Sequence, residues 1–229
     1  QAKELYFEFE GNAGIRAGER ARSWVERNGA SFDVVQPELG VPLYLMLVGS
    51  PTQISFEFQY LLDSYWNVGR LDFDNLDDYA TYADNMVAYE TGGTVRQSKR
   101  AAIWCTKNPG DRATGLLTNQ VALPMINGQG PIKPVGAQAG FKVDTFVGAN
   151  ATKAALLDLL RGKANPPALL FTGSHGVAFP SDDPLQRENQ GALLGQEWSF
   201  GDTPTAAQYL TGAEVLAEAD AHGLMHFLF

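Results

Sequence analysis

The histidine of the segment LLFTGSHG, residues 169–176, stands where an apolar run of residues ends. His175 is one of three histidines in the chain, and small residues flank it on both sides. Because an imidazole has an ordinary pKa of about 6.5, it can act as a general base or a general acid near neutral pH. The backbone N–H of Gly176, which no side chain obstructs, can donate a hydrogen bond to a developing oxyanion. We therefore predict that His175 and Gly176 are catalytic, against the alternative of a histidine that only caps its loop.

Predicted strands and helices alternate along the second half of the chain. The apolar and amphipathic patterns predict strands at 100–106, 141–148, 167–173 and 223–229, and helices at 113–123, 151–161 and 212–221. This order is typical of a parallel sheet with helices on its faces. In such sheets, ligands and catalytic groups lie beyond the carboxyl ends of the strands. His175 follows a predicted strand directly, so we expect it at that edge of the sheet.

Local signals predict where several elements begin and end. Thr211 and Glu214 have the spacing of a capping box, which predicts that the last helix begins there. Pro124 is predicted to end the helix before it, because proline cannot donate a helical backbone hydrogen bond. Residues 191–200 predict a short strand or hairpin, and the Gly/Pro-rich residues 128–140 predict a loop.

The first half of the chain predicts a smaller α/β lobe. Its patterns predict strands at 5–10, 31–35 and 41–49 and helices at 17–28 and 75–90. The composition of residues 92–99 is typical of a linker, and we predict a domain boundary there. Residues 1–95 are thus expected to form an N-terminal α/β lobe. Residues 96–229 are expected to form an α/β unit with a mostly parallel sheet and helices on both faces.

Composition excludes several classes of partner and site. The chain of 229 residues carries 17 basic and 26 acidic residues, a formal net charge of −9, which repels the phosphate backbone of a nucleic acid. No apolar stretch approaches the ~20 residues that a membrane span needs. The single cysteine excludes an internal disulfide and a cysteine-rich zinc site, and it favours the reducing cytoplasm. We therefore expect a cytoplasmic protein with no nucleic-acid or membrane partner and with no cofactor or metal.

The segment LLFTGSHG resembles the histidine strand of the caspase-like cysteine peptidases, a fold that caspases, gingipains, separases and CHAT-domain proteases share. In that family an apolar strand ends in His-Gly, and the next core strand, reached through a helix, ends in the nucleophilic cysteine. The order here is similar: His175 and Gly176, the helix predicted at 212–221, and the apolar strand in GLMHFLF. In the N-terminal half, YLMLVGSP and LDSYWNVGRLDFDNLDDYATYADNMVAYE are similar to the lead-in lobe of the gingipain-like branch.

This resemblance implies a caspase-like fold and a cysteine endopeptidase that hydrolyses peptide bonds through a Cys–His dyad. It assigns the nucleophilic cysteine to the position after the strand HFLF, beyond Phe229. The chain would then be a fragment, inactive without the remaining C-terminal part of its parent protein. In that parent, His175 would assist the thiolate and the Gly176 amide would bind the oxyanion. The implied partner is a peptide or protein substrate, and no cofactor is required.

Three polar residues near the histidine are candidates for substrate binding. Ser174 precedes it directly, and Asp182 and Asp183 lie in the loop that follows it. The two carboxylates could border a substrate cleft and favour basic side chains in a target. The alternative is a solvated turn, since aspartates are mostly exposed.

Other interpretations of the sequence stay open. The alternative function is a non-catalytic α/β scaffold or pseudo-protease that binds a peptide or protein partner across the strand ends.

Cys105 also ends a predicted strand, but its apolar neighbours favour a buried structural thiol. Glycines within 11–18 lie between a strand and a helix, where phosphates bind, although their spacing matches no phosphate-binding motif. His222 and His226 are not expected to hold a metal, because Gly223 interrupts the helix that would align them.

Overall fold

The computed structural model describes residues 6–37, 40–92, 99–161, 166–219 and 221–229. The chain divides into two compact units, Gln1–Ala88 and Tyr89–Phe229. Most of the linker predicted at 92–99 lies outside the described residues. Each unit has hydrophobic core clusters of its own.

The first unit contains two parallel strands with helices packed on one face. Its elements are α1 (Ala21–Arg27), β1 (Tyr44–Val48), α2 (Phe56–Asp63), β2 (Asn67–Leu71) and α3 (Leu76–Thr91), the last of which runs past Ala88. β1 pairs with β2 in parallel along its full length. Leu45 and Leu47 of β1 are buried against the helices, and the residues that alternate with them are exposed. The predictions of a strand at 41–49 and of helices at 17–28 and 75–90 are confirmed with shifted ends.

Aromatic side chains build the core of this unit. Trp24 of α1 contacts Phe9 and Phe58, with ring centroids at 5.1 and 6.1 Å. Phe32 packs edge-on against Trp66 at 5.2 Å. Burying a side chain of this size stabilises a fold by about 1.5–3 kcal/mol relative to leaving it exposed. These rings therefore hold the irregular N-terminal segments against α1 and α2.

Two of the strands predicted in this unit do not form. Residues 6–10 have no regular structure, and residues 31–35 form bends. A strand needs a neighbour to satisfy its backbone N–H and C=O groups. In the described part of this unit, however, β1 and β2 pair only with each other. The alternating patterns in these segments reflect the packing of Phe9 and Phe32 in the core, not positions in a sheet.

The arginine of the segment NVGRL holds the loop that follows β1. The guanidinium of Arg70 donates hydrogen bonds to the backbone oxygens of Gly49 and Ile54 and to the side chain of Gln59, at 2.7–2.9 Å. It also stacks over the ring of Phe56. A planar group with five donors can satisfy several acceptors at once, so Arg70 has a structural role.

The second unit is built around a parallel sheet of four strands. Its elements are β3 (Arg100–Cys105), α4 (Arg112–Leu117), α5 (Leu123–Asn127), β4 (Lys142–Val147), α6 (Lys153–Arg161), β5 (Leu169–Gly173), α7 (Gln186–Asn189), β6 (Leu193–Leu194), β7 (Tyr209–Leu210), α8 (Gly212–Glu218) and β8 (Met225–Leu228). The strand order is β4-β3-β5-β8, and every pairing in this sheet is parallel. β6, within the segment predicted as a short strand or hairpin, pairs antiparallel with β7. The prediction of an α/β protein with a mostly parallel sheet is confirmed.

Helices cover both faces of this sheet. Ala102 and Trp104 of β3 point to one face, where apolar side chains of α6 and α8 cover them. Ile103 and Cys105 point to the opposite face and pack against Ala122 and its neighbours between α4 and α5. Successive side chains of a strand alternate between the faces. Burial on both faces explains why the sequence of β3 is a continuous apolar run.

The prediction that Pro124 ends its helix is wrong. Between α4 and α5 the backbone forms a π turn at Thr118–Ala122, and the helix continues to Asn127. Proline has no N–H, and in a regular helix its ring clashes with the carbonyl four residues earlier. The wider π turn before it gives the ring room, so the helix passes through this position.

α8 begins at the predicted capping box. The Thr211 hydroxyl accepts a hydrogen bond from the Glu214 N–H at 3.2 Å, and the Glu214 carboxylate accepts one from the Thr211 N–H at 3.1 Å. The same carboxylate lies 2.6 Å from the ammonium of Lys153 in α6. The capping residues therefore also attach α8 to its neighbouring helix.

A largely enclosed carboxylate, that of Glu19, attaches the irregular N-terminal segment to α1. Arg27 donates hydrogen bonds to Glu19 through Nε at 2.6 Å and through Nη2 at 2.8 Å. The backbone N–H of Arg16 donates to the same carboxylate at 3.0 Å. The hydrogen bond from Arg27 lowers the pKa of Glu19 to about 2, although burial of the carboxylate opposes this shift.

We predict that Glu19→Gln lowers the free energy of unfolding of the first unit by about 2 kcal/mol at pH 7, because both hydrogen bonds from Arg27 lose their charged acceptor. The pKa of Glu19 is lower in the folded chain than its ordinary value of 4.5, so this stabilisation is present above pH 4.5 and is lost as the pH falls toward about 2. Urea unfolding followed by tryptophan fluorescence measures the difference.

The exposed Glu26, 3.7 Å from Arg22, supplies a matched control. Glu26→Gln should change stability little, because exposed ion pairs contribute about 0–1 kcal/mol. Equal unfolding midpoints for wild type and Glu19→Gln at pH 7 would contradict the prediction.

Candidate active site

His175 lies two residues beyond Gly173, the last residue of β5. Its side chain is 40% exposed, so a ligand can reach the ring although protein atoms pack against part of it. The ring nitrogen Nε2 lies 2.7 Å from the carboxylate oxygen Oδ2 of Asp111. The histidine and the aspartate form the centre of the candidate site.

The parallel register of β3 and β5 brings these two side chains together. Cys105, the last residue of β3, lies opposite Gly173. The N–H of Thr106 continues the pairing with a hydrogen bond to the Gly173 carbonyl at 3.0 Å. The loops that follow both strands therefore leave the sheet at the same level, and one carries Asp111 and the other His175.

Asp111 is held by the helix that it caps. Its carboxylate accepts hydrogen bonds from the Ala113 N–H at 3.0 Å, the Thr114 N–H at 3.2 Å and the Thr114 hydroxyl at 2.8 Å. The side chain is 4% exposed. Burial by itself would raise the pKa of Asp111. The hydrogen bonds from Thr114, Ala113 and His175 outweigh burial and keep the pKa below its ordinary value, so the group is an anion at neutral pH.

The charge of Asp111 determines how the neutral imidazole is protonated. An ionised carboxylate can only accept hydrogen bonds, so Nε2 of His175 must carry the proton that it donates to Asp111. In the neutral ring the lone pair then lies on Nδ1. No hydrogen bond to Nδ1 comes from the described part of the chain. The structure therefore supplies a histidine whose tautomer is set and whose second nitrogen can accept a proton.

Ser174 holds the turn that presents the histidine. Its hydroxyl donates hydrogen bonds to the backbone oxygens of Leu194 and His175. These contacts bind the residues after β5 to β6. The predicted substrate-binding role of Ser174 thus competes with a structural role that already uses its hydroxyl proton.

The backbone N–H of Gly176 points away from the strand pair in which it lies. Gly176 faces Leu193 in an antiparallel bridge, and the flanking hydrogen bonds run from Leu194 N to His175 O and from Val177 N to Ala192 O, each at 2.9 Å. In this pattern the central residue is not hydrogen-bonded to its partner. Within the described ranges no acceptor takes the Gly176 N–H, so a ligand oxygen can.

The last residue of the chain lies beside the same loop. β8 runs parallel to β5, and the Phe229 N–H donates to the Thr172 carbonyl at 2.9 Å. The Ser174 N–H in turn donates to the Phe229 carbonyl at 3.3 Å. Phe229 therefore lies at the carboxyl end of the sheet, next to the residue that precedes His175.

Cys105 is buried beneath this edge of the sheet. The side chain is inaccessible, and its Sγ lies 3.5 Å from the Thr118 hydroxyl. A Cβ atom added to Gly173 would lie 3.0 Å from that sulfur. Burial raises the pKa of the Cys105 thiol, with the hydrogen bond between the thiol and Thr118 as a weaker opposing effect. The thiol is thus protonated at neutral pH and unreachable by a substrate, which fits the structural interpretation of this cysteine.

The other acidic and histidine residues considered in the sequence analysis make contacts of their own or are exposed. Asp183 accepts a hydrogen bond from the Leu185 N–H at 2.8 Å and so stabilises its own turn, and Asp182 is exposed. His226 lies in β8 with Nε2 2.8 Å from the Thr172 hydroxyl, and burial lowers its pKa. His222 packs edge-on against Tyr89. Among the described residues, no cluster of histidine, cysteine and acidic side chains could hold a metal ion.

Sequence reasoning missed Asp111 and Trp198, which contacts the His175 ring edge-on at 5.9 Å. A signal for Asp111 was present. The aspartate follows Pro109-Gly110 and precedes a predicted helix, which is typical of an N-cap, and its loop follows a strand of the same predicted sheet. Trp198 gave no such signal, because its contact with His175 depends on how the loop after β6 folds back.

Comparisons with protein-family models, with curated proteins and with solved structures gave no match. Across the described ranges, no helix has both the length and the apolar character that crossing a membrane requires.

We predict that Asp111→Ala lowers the free energy of unfolding by about 1–2 kcal/mol, because α4 loses its N-cap acceptor. Asp111→Asn should cost less, since asparagine retains a capping oxygen. Urea unfolding at pH 7 compares the two variants with wild type. An Asp111→Ala protein as stable as wild type would mean that this carboxylate does not support α4.

Proposed function

We propose that this chain is the histidine-bearing part of a cysteine endopeptidase that hydrolyses peptide bonds through a Cys–His dyad. The observation that carries the proposal is the Asp111–His175 pair at the carboxyl end of β5. The resemblance of LLFTGSHG to the histidine strand of caspase-like peptidases supports the same chemistry. With one cysteine and no disulfide possible within the chain, we assign the protein to the cytoplasm.

We assign the nucleophile to a cysteine that directly follows Phe229 in the parent protein. The hydrogen bonds that join Phe229 to Thr172 and Ser174 set the level at which β8 leaves the sheet. A strand advances about 3.3 Å per residue. The next residue would therefore emerge level with the loop that contains His175, where a thiol could reach the ring.

The reaction needs only a thiol, an imidazole and water. His175 takes the thiol proton, and the thiolate adds to the carbonyl carbon of the scissile bond. The C–N bond then breaks, His175 returns the proton to the leaving amine, and a thioester remains. Water adds to the thioester carbonyl as His175 accepts its proton. The C–S bond breaks, the carboxylic acid leaves, and the thiol recovers the proton.

Two groups around His175 lower the barriers of these steps. The Asp111 carboxylate orients the ring and stabilises the imidazolium that forms when the thiol loses its proton. The outward N–H of Gly176 donates a hydrogen bond to the oxyanion of each tetrahedral intermediate. Both groups are fixed before the substrate binds, so no reorganisation is needed during the reaction.

The second candidate function is a non-catalytic scaffold or pseudo-protease that binds a peptide or protein partner. Among the described strands β8 lies at an edge of the sheet, and Met225, Phe227 and Leu228 are each more than half exposed. An apolar strand edge of this kind favours pairing with another chain. The experiment below separates the two functions, because a scaffold binds without cleaving.

We predict that His175→Ala in the full-length parent lowers peptide cleavage by about 10²–10⁴-fold and abolishes labelling by a thiol-directed probe at neutral pH, because the general base is lost. Peptide hydrolysis and probe labelling are measured in parallel with far-UV circular dichroism, which should show that the fold is intact. His222→Ala is the matched control and should cleave like wild type. Unimpaired cleavage by His175→Ala would refute the role of the histidine, and the absence of any cleavage by the parent would favour the scaffold.

We also predict that Asp111→Asn lowers kcat by about 100-fold or more while KM changes little, because the imidazolium loses its charged partner. The variant retains the helix cap, so loss of fold does not account for the effect. Steady-state kinetics on one peptide substrate measure both constants. A kcat within twofold of wild type would show that the carboxylate has no part in the reaction.

A further inference from the structure

The loop at residues 195–202 carries an exposed aromatic side chain beside the candidate site. Trp198 is 8% exposed and lies edge-on to His175, with ring centroids 5.9 Å apart. Phe200 lies edge-on to Trp198 at 6.1 Å and is 63% exposed. A continuous series of rings therefore leads from the imidazole to a phenyl group that solvent can reach.

Hydrogen bonds hold this loop against the one that follows β3. The side-chain nitrogen of Asn108 is buried and donates to the carbonyls of Gly195 and Trp198, each at 2.9 Å. The N–H of Phe200 donates to the Pro109 carbonyl at 3.0 Å. These contacts hold the backbone at Phe200 in place, so its exposed ring is attached to a rigid part of the surface.

A second pair of hydrogen bonds fixes the start of the loop. The Lys107 N–H donates to the side-chain oxygen of Gln196, and the Gln196 side-chain nitrogen donates to the Lys107 carbonyl, both at 2.7 Å. Residues 107–111 thus carry both Asp111 and the anchors of the loop that presents Phe200. The same segment therefore contacts both His175 and the loop that presents Phe200.

We infer that Phe200 forms the wall of a substrate subsite that takes a large apolar side chain, aromatic or aliphatic. Single exposed apolar side chains are common, but the backbone that carries this one is held by hydrogen bonds, and its ring adjoins the histidine through Trp198. An apolar partner would remove its ring from water without ordering a flexible protein segment. This inference rests on the proposed function, because the subsite selects peptides only if His175 takes part in their cleavage.

The position of Phe200 limits which substrate residue it selects. An extended peptide advances about 3.3 Å per residue, and the two ring contacts from His175 to Phe200 measure 5.9 and 6.1 Å. The selected side chain should therefore lie within about four residues of the scissile bond. One position in the cleaved peptides, and not the whole sequence, should show the preference.

Cleavage of a proteome-derived peptide library by the full-length parent, with the cut sites mapped by mass spectrometry, tests this inference. Wild type should favour Phe, Tyr, Leu or Met at one position near the scissile bond. Phe200→Ala should lose that preference and lower kcat/KM about tenfold on a preferred peptide, with less than a twofold change on the same peptide carrying Ala there. Phe200→Lys should shift the preference at that position toward Asp and Glu.

Ile132→Ala is the matched control, because Ile132 is a comparably exposed apolar residue, 69%, in the loop between α5 and β4. Its cleavage profile should equal that of wild type. If Phe200→Ala and Phe200→Lys keep the wild-type preference and rate, the subsite is overturned and the peptidase function stands. If wild type makes no cut that His175→Ala prevents, the proposed function fails and the subsite fails with it.

Discussion

A single buried carboxylate joins the fold of the second unit to its candidate active site. Asp111 caps α4 through Thr114 and Ala113 and also faces His175. A carboxylate that is 4% exposed is stable as an anion only when its oxygens are fully hydrogen-bonded. The helix N-terminus supplies three of those bonds, and the imidazole supplies the fourth. The histidine therefore completes an arrangement that the protein needs for its own stability.

The parallel sheet brings the residues of the candidate site to one common edge. Because β3, β5 and β8 are parallel and in register, their carboxyl ends open at one side of the unit. Asp111, His175 and Phe229 reach that side from three separate parts of the chain. A change of register by one residue would reverse the face of every side chain on the strand. Trp104 and Ile103 of β3 fill separate core clusters on opposite faces of the sheet, so core packing favours this register without any contribution from the site itself.

Rigid loops surround the exposed part of the histidine. Asn108 holds the 195–202 loop by two backbone contacts, and Ser174 ties the turn after β5 to β6. Such fixed surroundings reduce the conformational entropy that a ligand must remove on binding. The outward N–H of Gly176 belongs to the same framework, because hydrogen bonds on either side of it hold its backbone in place. Positioning here depends on the side-chain donors of Asn108 and Ser174 as well as on backbone hydrogen bonds.

Short-range patterns predicted the elements whose stability is local or whose burial is complete. The strands β3 and β5 are largely apolar runs, and the Thr211 capping box begins its helix in isolation from the rest of the fold. The sequence patterns gave wrong predictions where the structure depends on strand pairing or on an irregular helical turn. Residues 6–10 and 31–35 alternate like strands but have no neighbour to pair with, and a π turn carries the helix past Pro124.

The sequence alone determined that His175 follows a strand and that a glycine comes next, because both depend on neighbours along the chain. Only the tertiary structure decided that Asp111 and Trp198 would be the partners of the imidazole. Those contacts span 64 residues in one case and a folded-back loop in the other. Their formation depends on strand order, register and loop packing, which no local pattern encodes. The physical reason is that a parallel sheet brings together the ends of strands that are distant in sequence.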